Sequence, residues 1–442
     1  ENSFSSGPGV FSRASFGTLQ SRKMVSAKRA DRRSEYVRHV KALNHTFSVW
    51  FRAEIARDPG ACLASGAQNW LDYRSRLEER YLRCHGEVLT FGSGDCGQLA
   101  HGMSDEHLMS VKFPRVVYSL RDKKVCVVAC GGLHNAVVTE AGTVFTWGCA
   151  DDGSLGRSGE ESLPAVVEGL PEEDPVIGIA CGDGQTVAVT TGGKVYGWGC
   201  YKDKEGKKWF NPSSGARDPA STIKRQENCA QRILGLDGIV EVDCGSSVNA
   251  ALCDDGKVYS WGIGESGELG RIVSDVKPNG ADAGYDFHVI LQDHLTPAPM
   301  TTANGVPLSN ARAIGCGAYH TLVVASDGLY TSGLSNYGQL GHGDTTNCST
   351  LRLVDCAEFS YDKASGSADS VVAATGGMHH SLCLLSSGRV FSFGRSDYGQ
   401  LGISRLSKGA ASAAGAHLAI PEQVDSPWGS DLVTKVNSTQ IC

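Results

Sequence analysis

The chain has 442 residues and a formal charge of −7, and no apolar run approaches the eighteen residues that a membrane-spanning helix requires. Its length allows a large buried core, which excludes the class of small scaffolds held together by disulfides. Glycine is abundant at 55 residues, whereas proline is not at 14, and the collagen triplet is absent. We therefore expect a globular protein in which many tight turns join short strands.

The segment 1–85 is basic, with 15 Lys and Arg against 8 Asp and Glu, and the rest of the chain is acidic, with 26 against 40 and a net charge of −14. Residues 1–35 are rich in Ser and Gly and then basic, a composition that cannot bury a core. We predict a disordered tail that binds DNA phosphates or serves as a nuclear address, and a tail that only increases solubility is the alternative. Its candidate nucleic-acid contacts are Arg22, Lys23, Lys28, Arg29, Arg32 and Arg33.

Residues 36–85 have a different pattern, because Val40, Leu43, Phe47 and Trp50 recur at helical spacing. The sequence Asp-Pro-Gly at 58–60 predicts a break before a second helical stretch around 69–83. This helical segment has no assigned role. Packing against the rest of the chain and docking of a partner both remain open.

From residue 86 onward the sequence is an internal repeat made of two linked blocks. One block is an apolar segment that ends in aromatic-Gly or its variant, and it reads LTFG, FTWG, YGWG, YSWG, YTSG and FSFG. The other block precedes it in five copies with a fixed pattern of small and apolar residues, and it reads CGGLHNAVV, CGDGQTVAV, CGSSVNAAL, CGAYHTLVV and GGMHHSLCL.

The spacing within a copy is fixed, whereas the spacing between copies is not. The glycines of the two blocks keep one identical separation in four copies, and in the fifth, from Gly317 to Gly333, it is shorter by a single position. The four identical pairs are Gly131 and Gly148, Gly182 and Gly199, Gly245 and Gly262, and Gly377 and Gly394. Insertions between copies therefore lie in surface loops.

The fixed spacing predicts antiparallel strands joined by a tight turn, because one extra residue would flip every side chain to the other face. Each unit carries about four strands of alternating pattern, which is typical of a blade of a β-propeller. A blade cannot bury both of its own faces, so the blades must stack into a ring. We predict an all-β propeller over residues 86–442, with repeat units at 87–142, 143–193, 194–256, 257–328, 329–388 and 389–442.

The Gly-Gln-Leu-Gly turns and their variants, which begin at Gly97, Gly153, Gly267, Gly338 and Gly399, combine with the CG-x-x-H blocks into a pattern that resembles the regulator of chromosome condensation family. The resemblance spans residues 87 to about 436. It implies a seven-bladed propeller of which six repeats are visible, the last incomplete, so we expect that both ends of this sequence are cut and that the seventh blade lies beyond it.

The family resemblance also implies a function, because its founding member is a chromatin-bound nuclear exchange factor for the Ran GTPase. Such a factor promotes GDP/GTP exchange on a partner without covalent chemistry, so we expect neither an enzyme nor a cofactor, and a monomer that does not bind membranes. The family's propeller also serves in ubiquitin-ligase modules and scaffolds. A non-catalytic scaffold or substrate-recognition module is therefore the alternative.

The third unit departs from the repeat, because the turn after Gly199 is replaced by the charged sequence CYKDKEGKKWF. In the family's exchange factor a β-wedge stands at this place and enters the GTPase beside its nucleotide and Mg²⁺. The resemblance implies that the wedge here comprises Tyr201, Lys202, Asp203, Lys204, Glu205, Gly206 and Lys207. An ordinary loop insertion remains the alternative.

Further residues of a GTPase-binding face are implied by the same resemblance: Asp183, Asn336 and His379 match family positions, and Ser247 lies on the same face. Two positions depart from the family pattern, because Ser247 stands where the exchange factor has an aspartate and Gly338 where it has a histidine. These departures leave open whether exchange activity is retained.

Other chemistry-bearing residues favour structural roles. Gly206-Lys207 is followed by Lys208 and lacks the spacing of a phosphate-binding loop. The repeat-equivalent His134, His320 and His380 predict hydrogen bonds to neighbouring strands. The repeat-equivalent Cys130, Cys181, Cys244 and Cys316 favour buried, reduced thiols over a metal site, since no CxxC pair occurs.

Overall fold

The protein is described by a computed structural model over residues 86–103, 109–211, 223–273, 293–359, 369–407 and 415–425. The basic tail and the helical segment predicted for residues 1–85 lie outside these residues. Within the described ranges, no helix is long and apolar enough to cross a bilayer.

The described residues contain 24 β-strands, which tight turns and longer loops connect. Single turns of 3-10 helix lie at Tyr118–Leu120, Ala357–Phe359 and Ser404–Ser407. In chain order the strands are β1 (Leu89–Ser93), β2 (Ser110–Val116), β3 (Val125–Cys130), β4 (His134–Thr139), β5 (Val144–Gly148), β6 (Ala165–Val166), β7 (Val176–Cys181), β8 (Gln185–Thr190), β9 (Val195–Gly199), β10 (Tyr201–Lys202), β11 (Lys208–Trp209), β12 (Glu227–Arg232), β13 (Ile239–Cys244), β14 (Val248–Cys253), β15 (Val258–Gly262), β16 (Ala298–Pro299), β17 (Ala311–Cys316), β18 (His320–Ala325), β19 (Gly328–Gly333), β20 (Cys348–Leu353), β21 (Val371–Gly376), β22 (His380–Leu385), β23 (Val390–Arg395) and β24 (His417–Gln423).

These strands form five four-stranded antiparallel sheets, which we call sheet I (β3 to β6), sheet II (β7, β8, β9 and β12), sheet III (β13 to β16), sheet IV (β17 to β20) and sheet V (β21 to β24). Strands β1 and β2 form a separate pair, and β10 and β11 form another that is inserted within sheet II. The pairing of the first two strands shifts register at the same place in every four-stranded sheet. The repetition of this irregularity shows that one structural unit recurs along the chain.

The hydrophobic cores lie between successive sheets. Val187 and Val195 of sheet II pack in one cluster with Val242, Ala251 and Trp261 of sheet III. Equivalent clusters join sheets I and II, III and IV, and IV and V. The first strands of neighbouring sheets also contact one another, as expected around the axis of a ring. The predicted β-propeller is therefore confirmed.

The sheets are out of phase with the repeat units drawn from the sequence. Residues 143–193, for example, supply the third and fourth strands of sheet I and the first and second strands of sheet II. A sequence unit that begins at the aromatic-Gly strand therefore spans a boundary between two sheets.

Two of the three repeated histidines make the predicted hydrogen bond to a neighbouring sheet. His134 Nε2 lies 2.8 Å from Thr186 Oγ1 in sheet II, and His320 Nε2 lies 2.8 Å from Ser381 Oγ in sheet V. Burial lowers the pKa of His134 to about 4 and that of His320 to about 3, so both rings are neutral at physiological pH. His380 is only partly buried.

The repeated cysteines follow the prediction in three positions and contradict it in one. Cys181, Cys244 and Cys316 are buried, whereas Cys130 is exposed. Cys130 lies on β3 of sheet I, and the sheet before it contributes only β1 and β2 to the described residues, so no first strand covers it there. No disulfide joins the cysteines of the described ranges, and no group of His, Cys, Asp and Glu in them is arranged to hold a metal ion.

Candidate functional site

The candidate residues lie on one face of the propeller. In every four-stranded sheet the first and third strands run in the same direction, because neighbouring strands are antiparallel. The turn after the first strand and the chain that leaves the third strand therefore lie at the same end of the sheet. Asp183, Ser247 and His379 lie in the first kind of turn, in sheets II, III and V. Asn336 and the segment after β9 leave third strands, in sheets IV and II. All of these residues therefore belong to one face.

The charged segment of the third unit forms a β-hairpin, which we call the β10–β11 hairpin (residues 201–209). Tyr201 pairs with Trp209 and Lys202 pairs with Lys208. The residues of its tip, 204–207, are exposed to solvent. The segment thus projects as a short ribbon where the neighbouring units have a compact Gly-Gln-Leu-Gly turn.

Asp203 organises the turn of the hairpin. Its carboxylate accepts hydrogen bonds from the backbone N–H groups of Glu205 at 3.0 Å and Lys207 at 2.9 Å, both to Oδ1. The other oxygen, Oδ2, accepts a hydrogen bond from the indole N–H of Trp209 at 3.0 Å. Asp203 is therefore committed to the fold of the hairpin, and the exposed side chains beyond it form the tip.

Tyr201 anchors the hairpin in the core and is itself buried. Its ring stacks on Phe210 with a centroid separation of 5.8 Å and an interplanar angle of 4°. Its hydroxyl accepts hydrogen bonds from Asn249 Nδ2 at 2.8 Å and from Trp261 Nε1 at 2.9 Å. Tyr201, which the family resemblance placed in the wedge, therefore lies at its base and presents no surface to a partner in this structure.

The hydroxyl of Tyr201 occupies the place of a backbone carbonyl in the other sheets. In sheet I, Asn135 Nδ2 and Trp147 Nε1 both donate to the carbonyl oxygen of Gln98, at 2.8 and 2.9 Å. Gln98 belongs to the Gly-Gln-Leu turn that the third unit lacks. A side-chain acceptor thus satisfies the two buried donors of sheet III, and the backbone is free to leave the ring as a hairpin.

Side chains of the two adjoining sheets flank the hairpin. Asp152, in the chain between β5 and β6, forms ion pairs with Lys202 at 2.5 Å and Lys208 at 2.9 Å. On the other side, Ser247 Oγ accepts a hydrogen bond from the backbone N–H of Lys202 at 3.1 Å. Burial raises the pKa of Glu265, in the chain between β15 and β16, against the positive charge of Lys204, which favours the carboxylate.

Asp183 lies beside the base of the hairpin. Cys200, the residue before the hairpin, donates its N–H to the carbonyl of Gly184 at 2.9 Å. Burial raises the pKa of Asp183, against a hydrogen bond from Ser246 and the positive charge of Lys202, which favour the carboxylate. Asp183 and the hairpin therefore form one continuous part of the face.

The second part of the face is a cluster of His379, Tyr337 and Arg395. The sequence analysis indicated His379 but not the other two. The ring of His379 lies 5.0 Å from that of Tyr337, and the guanidinium of Arg395 lies 5.1 Å from the Tyr337 ring. Burial, and after it the charge of Arg395, lowers the pKa of His379. Asn336 is exposed next to this cluster. The tyrosine recurs before two Gly-Gln-Leu-Gly turns, which was the available signal.

Gly338 is not a position for a functional side chain, although the resemblance set it against a histidine. Its φ is +71°, and a Cβ atom there would lie 2.5 Å from the Cα of Ala419. Gly338 is the first glycine of the repeat turn, like Gly97 and Gly153, which also have positive φ. The apparent departure from the family pattern therefore reflects a structural glycine.

The sequence of the propeller, with its repeat turns, matches a known family. The family described as RCC1-like domain matches residues 87–441. The chain belongs to the RCC1-like domain family. The resemblance predicted from the repeats is thereby confirmed.

Named relatives of this RCC1-like chain have different roles. It is 33% identical over 324 residues to the Regulator of chromosome condensation of Xenopus laevis, covering 72% of this chain and 69% of that protein. It is 35% identical over 278 residues to the E3 ubiquitin-protein ligase HERC2 of Mus musculus, covering 62% of this chain and 5% of the ligase. The crystal structure of Prp20p from Saccharomyces cerevisiae matches with a TM-score of 0.63 at 24% identity, covering 77% of this chain and 74% of Prp20p.

Proposed function

We propose that this RCC1-like chain is a guanine-nucleotide exchange factor for a Ran-type small GTPase, and that the β10–β11 hairpin acts as its wedge. The observation that carries the proposal is the placement of the hairpin. It replaces a repeat turn in the third unit, and its charged tip is exposed on the same face as Asp183, Asn336 and His379. The hairpin is also built into the ring, because the hydroxyl of Tyr201 at its base accepts the hydrogen bonds of Asn249 and Trp261.

Relatives support the nature of the partner. The Xenopus relative is named for chromosome condensation, and the Prp20p structure is described together with binding of that protein to Gsp1p and histones. We extend this to a nuclear, chromatin-associated role here. The basic residues of the tail, from Arg22 to Arg33, are the proposed nucleic-acid contacts and lie outside the described residues.

The proposed mechanism is displacement without a covalent step. A GTPase holds its nucleotide through backbone amides, a lysine and Mg²⁺ around the phosphates. A partner that binds the nucleotide-free form more tightly weakens nucleotide binding. The nucleotide weakens binding of the partner by the same coupling free energy. A change from nanomolar to micromolar affinity corresponds to about 4 kcal/mol. In this proposal Lys204, Glu205 and Lys207 of the tip enter the region of the phosphates and Mg²⁺, while Asp203 and Tyr201 keep the ribbon in shape.

The test is release of mant-GDP from a Ran-type GTPase by the full chain. We expect the wild type to accelerate release, and the double variant Lys204→Ala with Lys207→Ala to lose about tenfold in rate, because each charged contact contributes about 1 kcal/mol or less. The matched control is Lys112→Ala with Lys123→Ala, which removes the same charge from exposed positions outside the hairpin. It should keep the wild-type rate.

A non-catalytic scaffold is the second candidate, and the 35% identity to a segment of a ubiquitin ligase supports it. A scaffold makes a different prediction in the same assay, since the wild type itself would not accelerate release. That result would overturn the exchange proposal.

A further inference from the structure

The β10–β11 hairpin carries two lysines directly opposite each other. Lys202 of β10 pairs with Lys208 of β11, so their side chains extend from the same region of a two-stranded ribbon. Like charges at opposed positions destabilise a ribbon. An isolated two-stranded ribbon has only marginal stability in water, so it depends on contacts with its surroundings.

One carboxylate forms ion pairs with both lysines. Asp152 Oδ2 lies 2.5 Å from Lys202 Nζ, and Asp152 Oδ1 lies 2.9 Å from Lys208 Nζ. Lys208 Nζ also donates a hydrogen bond to the backbone carbonyl of Asp151 at 2.9 Å. The Asp152 side chain is only 14% exposed, so solvent screens this arrangement less than it screens an ion pair on the open surface.

Asp152 belongs to a different sheet from the hairpin. It lies between β5 and β6 of sheet I, whereas the hairpin is inserted between β9 and β12 of sheet II. Burial disfavours the charged form of Asp152, but the hydrogen bonds from Lys202 and Lys208 outweigh it and hold the pKa of this carboxyl below its usual range. The carboxylate therefore stays ionised and clamps both strands of the ribbon to the neighbouring sheet.

We propose that Asp152 is a positioning residue for the hairpin, which fixes the direction of the charged tip by holding Lys202 and Lys208 together from the neighbouring sheet. It touches no part of a partner in this role. The inference rests on the proposed exchange function for its effect on rate, but its effect on the hairpin is independent of that function. Without the carboxylate the two lysines repel, and the tip samples a wider range of directions. Misplacement of a contact group by about 1 Å can cost as much as a hundredfold in rate.

The first test measures order in the hairpin of the full chain by amide hydrogen exchange. The reporting amides are Asp203 N–H and Gly206 N–H, which bond to the carbonyls of Lys207 and Asp203. In Asp152→Asn the peptide that spans residues 201–209 should exchange about fivefold faster, the equivalent of an ion pair of about 1 kcal/mol. Asp151→Asn removes the same charge one residue away, from an exposed side chain, and leaves the carbonyl of Asp151 in place. Its exchange should equal that of the wild type.

The second test measures mant-GDP release from a Ran-type GTPase. Asp152→Asn should lower kcat about tenfold with a smaller change in KM, because a positioning residue acts after the encounter. Asp152→Glu keeps the charge and should recover most of the rate. Combining Asp152→Asn with Lys202→Met removes the repulsion and should partly restore both the rate and the protection of the amides.

The outcomes separate the two ideas. If Asp152→Asn leaves both the amide protection and kcat at the wild-type level, the positioning role is wrong. If the wild type itself does not accelerate release, the exchange function is wrong, and the amide measurement alone then decides whether Asp152 holds the hairpin. A circular dichroism melt of each variant verifies that the propeller is folded, and Asp152→Asn combined with Lys202→Met provides the reading if Asp152→Asn alone does not fold.

Discussion

The hydroxyl of Tyr201 accepts a hydrogen bond from the indole N–H of Trp261 at 2.9 Å. In the sheet before, the corresponding indole of Trp198 donates at 2.8 Å to the backbone carbonyl of Ser154, within the repeat turn. The phenol thus supplies the acceptor that the missing turn would have supplied. The ring keeps its connection between sheets II and III, and the chain gains a projecting hairpin.

Removing this hydroxyl should destabilise the propeller without changing the volume of the core. In Tyr201→Phe, the buried donors Asn249 Nδ2 and Trp261 Nε1 lose their acceptor. We expect the free energy of unfolding in urea to fall by at most about 1 to 3 kcal/mol for each unsatisfied donor. Tyr118→Phe is the control, because Tyr118 is 68% exposed and its hydroxyl loses little. Equal stability of the two variants would contradict the role of the Tyr201 hydroxyl.

Alanine substitutions of the adjacent residues Asp203 and Lys204 should have different effects on amide protection in the hairpin. Asp203→Ala removes the acceptor for three N–H groups of the hairpin, and we expect loss of amide protection over residues 201–209 with at most about 1 kcal/mol lost from global stability. Lys204→Ala removes an exposed ammonium and should leave this protection unchanged. Hydrogen exchange followed by mass spectrometry makes the comparison. If both variants behave alike, the turn is not organised by Asp203.

The propeller was predictable from the sequence because its determinants are local and repeated. The constant separation between the glycines of the two blocks allows only one pairing of short strands, and its recurrence along the chain excludes coincidence. The place of the hairpin was predictable for the same reason, since Tyr201 to Lys207 interrupt a pattern that the sister units keep. What could not be predicted was the role of Tyr201, because a tyrosine in a charged run is typical of an exposed loop.

The sequence analysis did not predict the ion pairs of Asp152 or the exposure of Cys130, because both depend on how neighbouring sheets pack. Asp152 reaches Lys202 and Lys208 across a sheet boundary, far from both of them in sequence. Cys130 was expected to be buried like its equivalents, but burial at that position depends on the sheet before it. Such relationships are properties of the assembled ring, so the pattern within one unit carries no signal for them.

The repeat turns offer a matched pair of glycines that separates two causes of strain. Gly338 and Gly399 occupy the same turn position with φ of +71° and +75°. A Cβ atom at Gly338 would lie 2.5 Å from the Cα of Ala419, whereas at Gly399 it would meet nothing within 4 Å. Gly399→Ala should therefore cost only the backbone strain of about 1 to 2 kcal/mol. Gly338→Ala should cost about 1 to 3 kcal/mol more, because the neighbouring backbone must move.

Urea unfolding of the two alanine variants measures this difference. A similar loss in both would mean that Ala419 can shift freely and that the conformation of the turn alone requires glycine. The comparison also bears on the departure from the family pattern at Gly338, because a large loss there shows that even a methyl side chain is not tolerated at that position.

Glu268 should make stability depend on pH. It stands where other turns have glutamine, and its Oε2 accepts the backbone N–H of Ser266 at 2.7 Å, as Gln339 Oε1 accepts that of Tyr337 at 3.0 Å. Burial raises the pKa of Glu268 to about 7. The pKa of this carboxyl is higher in the folded protein than the value of about 4.3 in the unfolded chain. The neutral carboxyl therefore contributes its full stabilisation at pH values below about 4.3. Its contribution falls as the pH rises through about 7.

Replacing Glu268 by glutamine should therefore stabilise the protein at pH 8 by up to about 3 kcal/mol and have little effect at pH 4. The free energy of unfolding, measured in urea from pH 4 to pH 8, should fall less steeply in Glu268→Gln than in the wild type. It should not become flat, because burial also raises the pKa of Asp243 to about 7. Glu172→Gln, at an exposed position, is the control and should keep the wild-type slope. An unchanged slope in Glu268→Gln would mean that this carboxyl is already ionised at neutral pH.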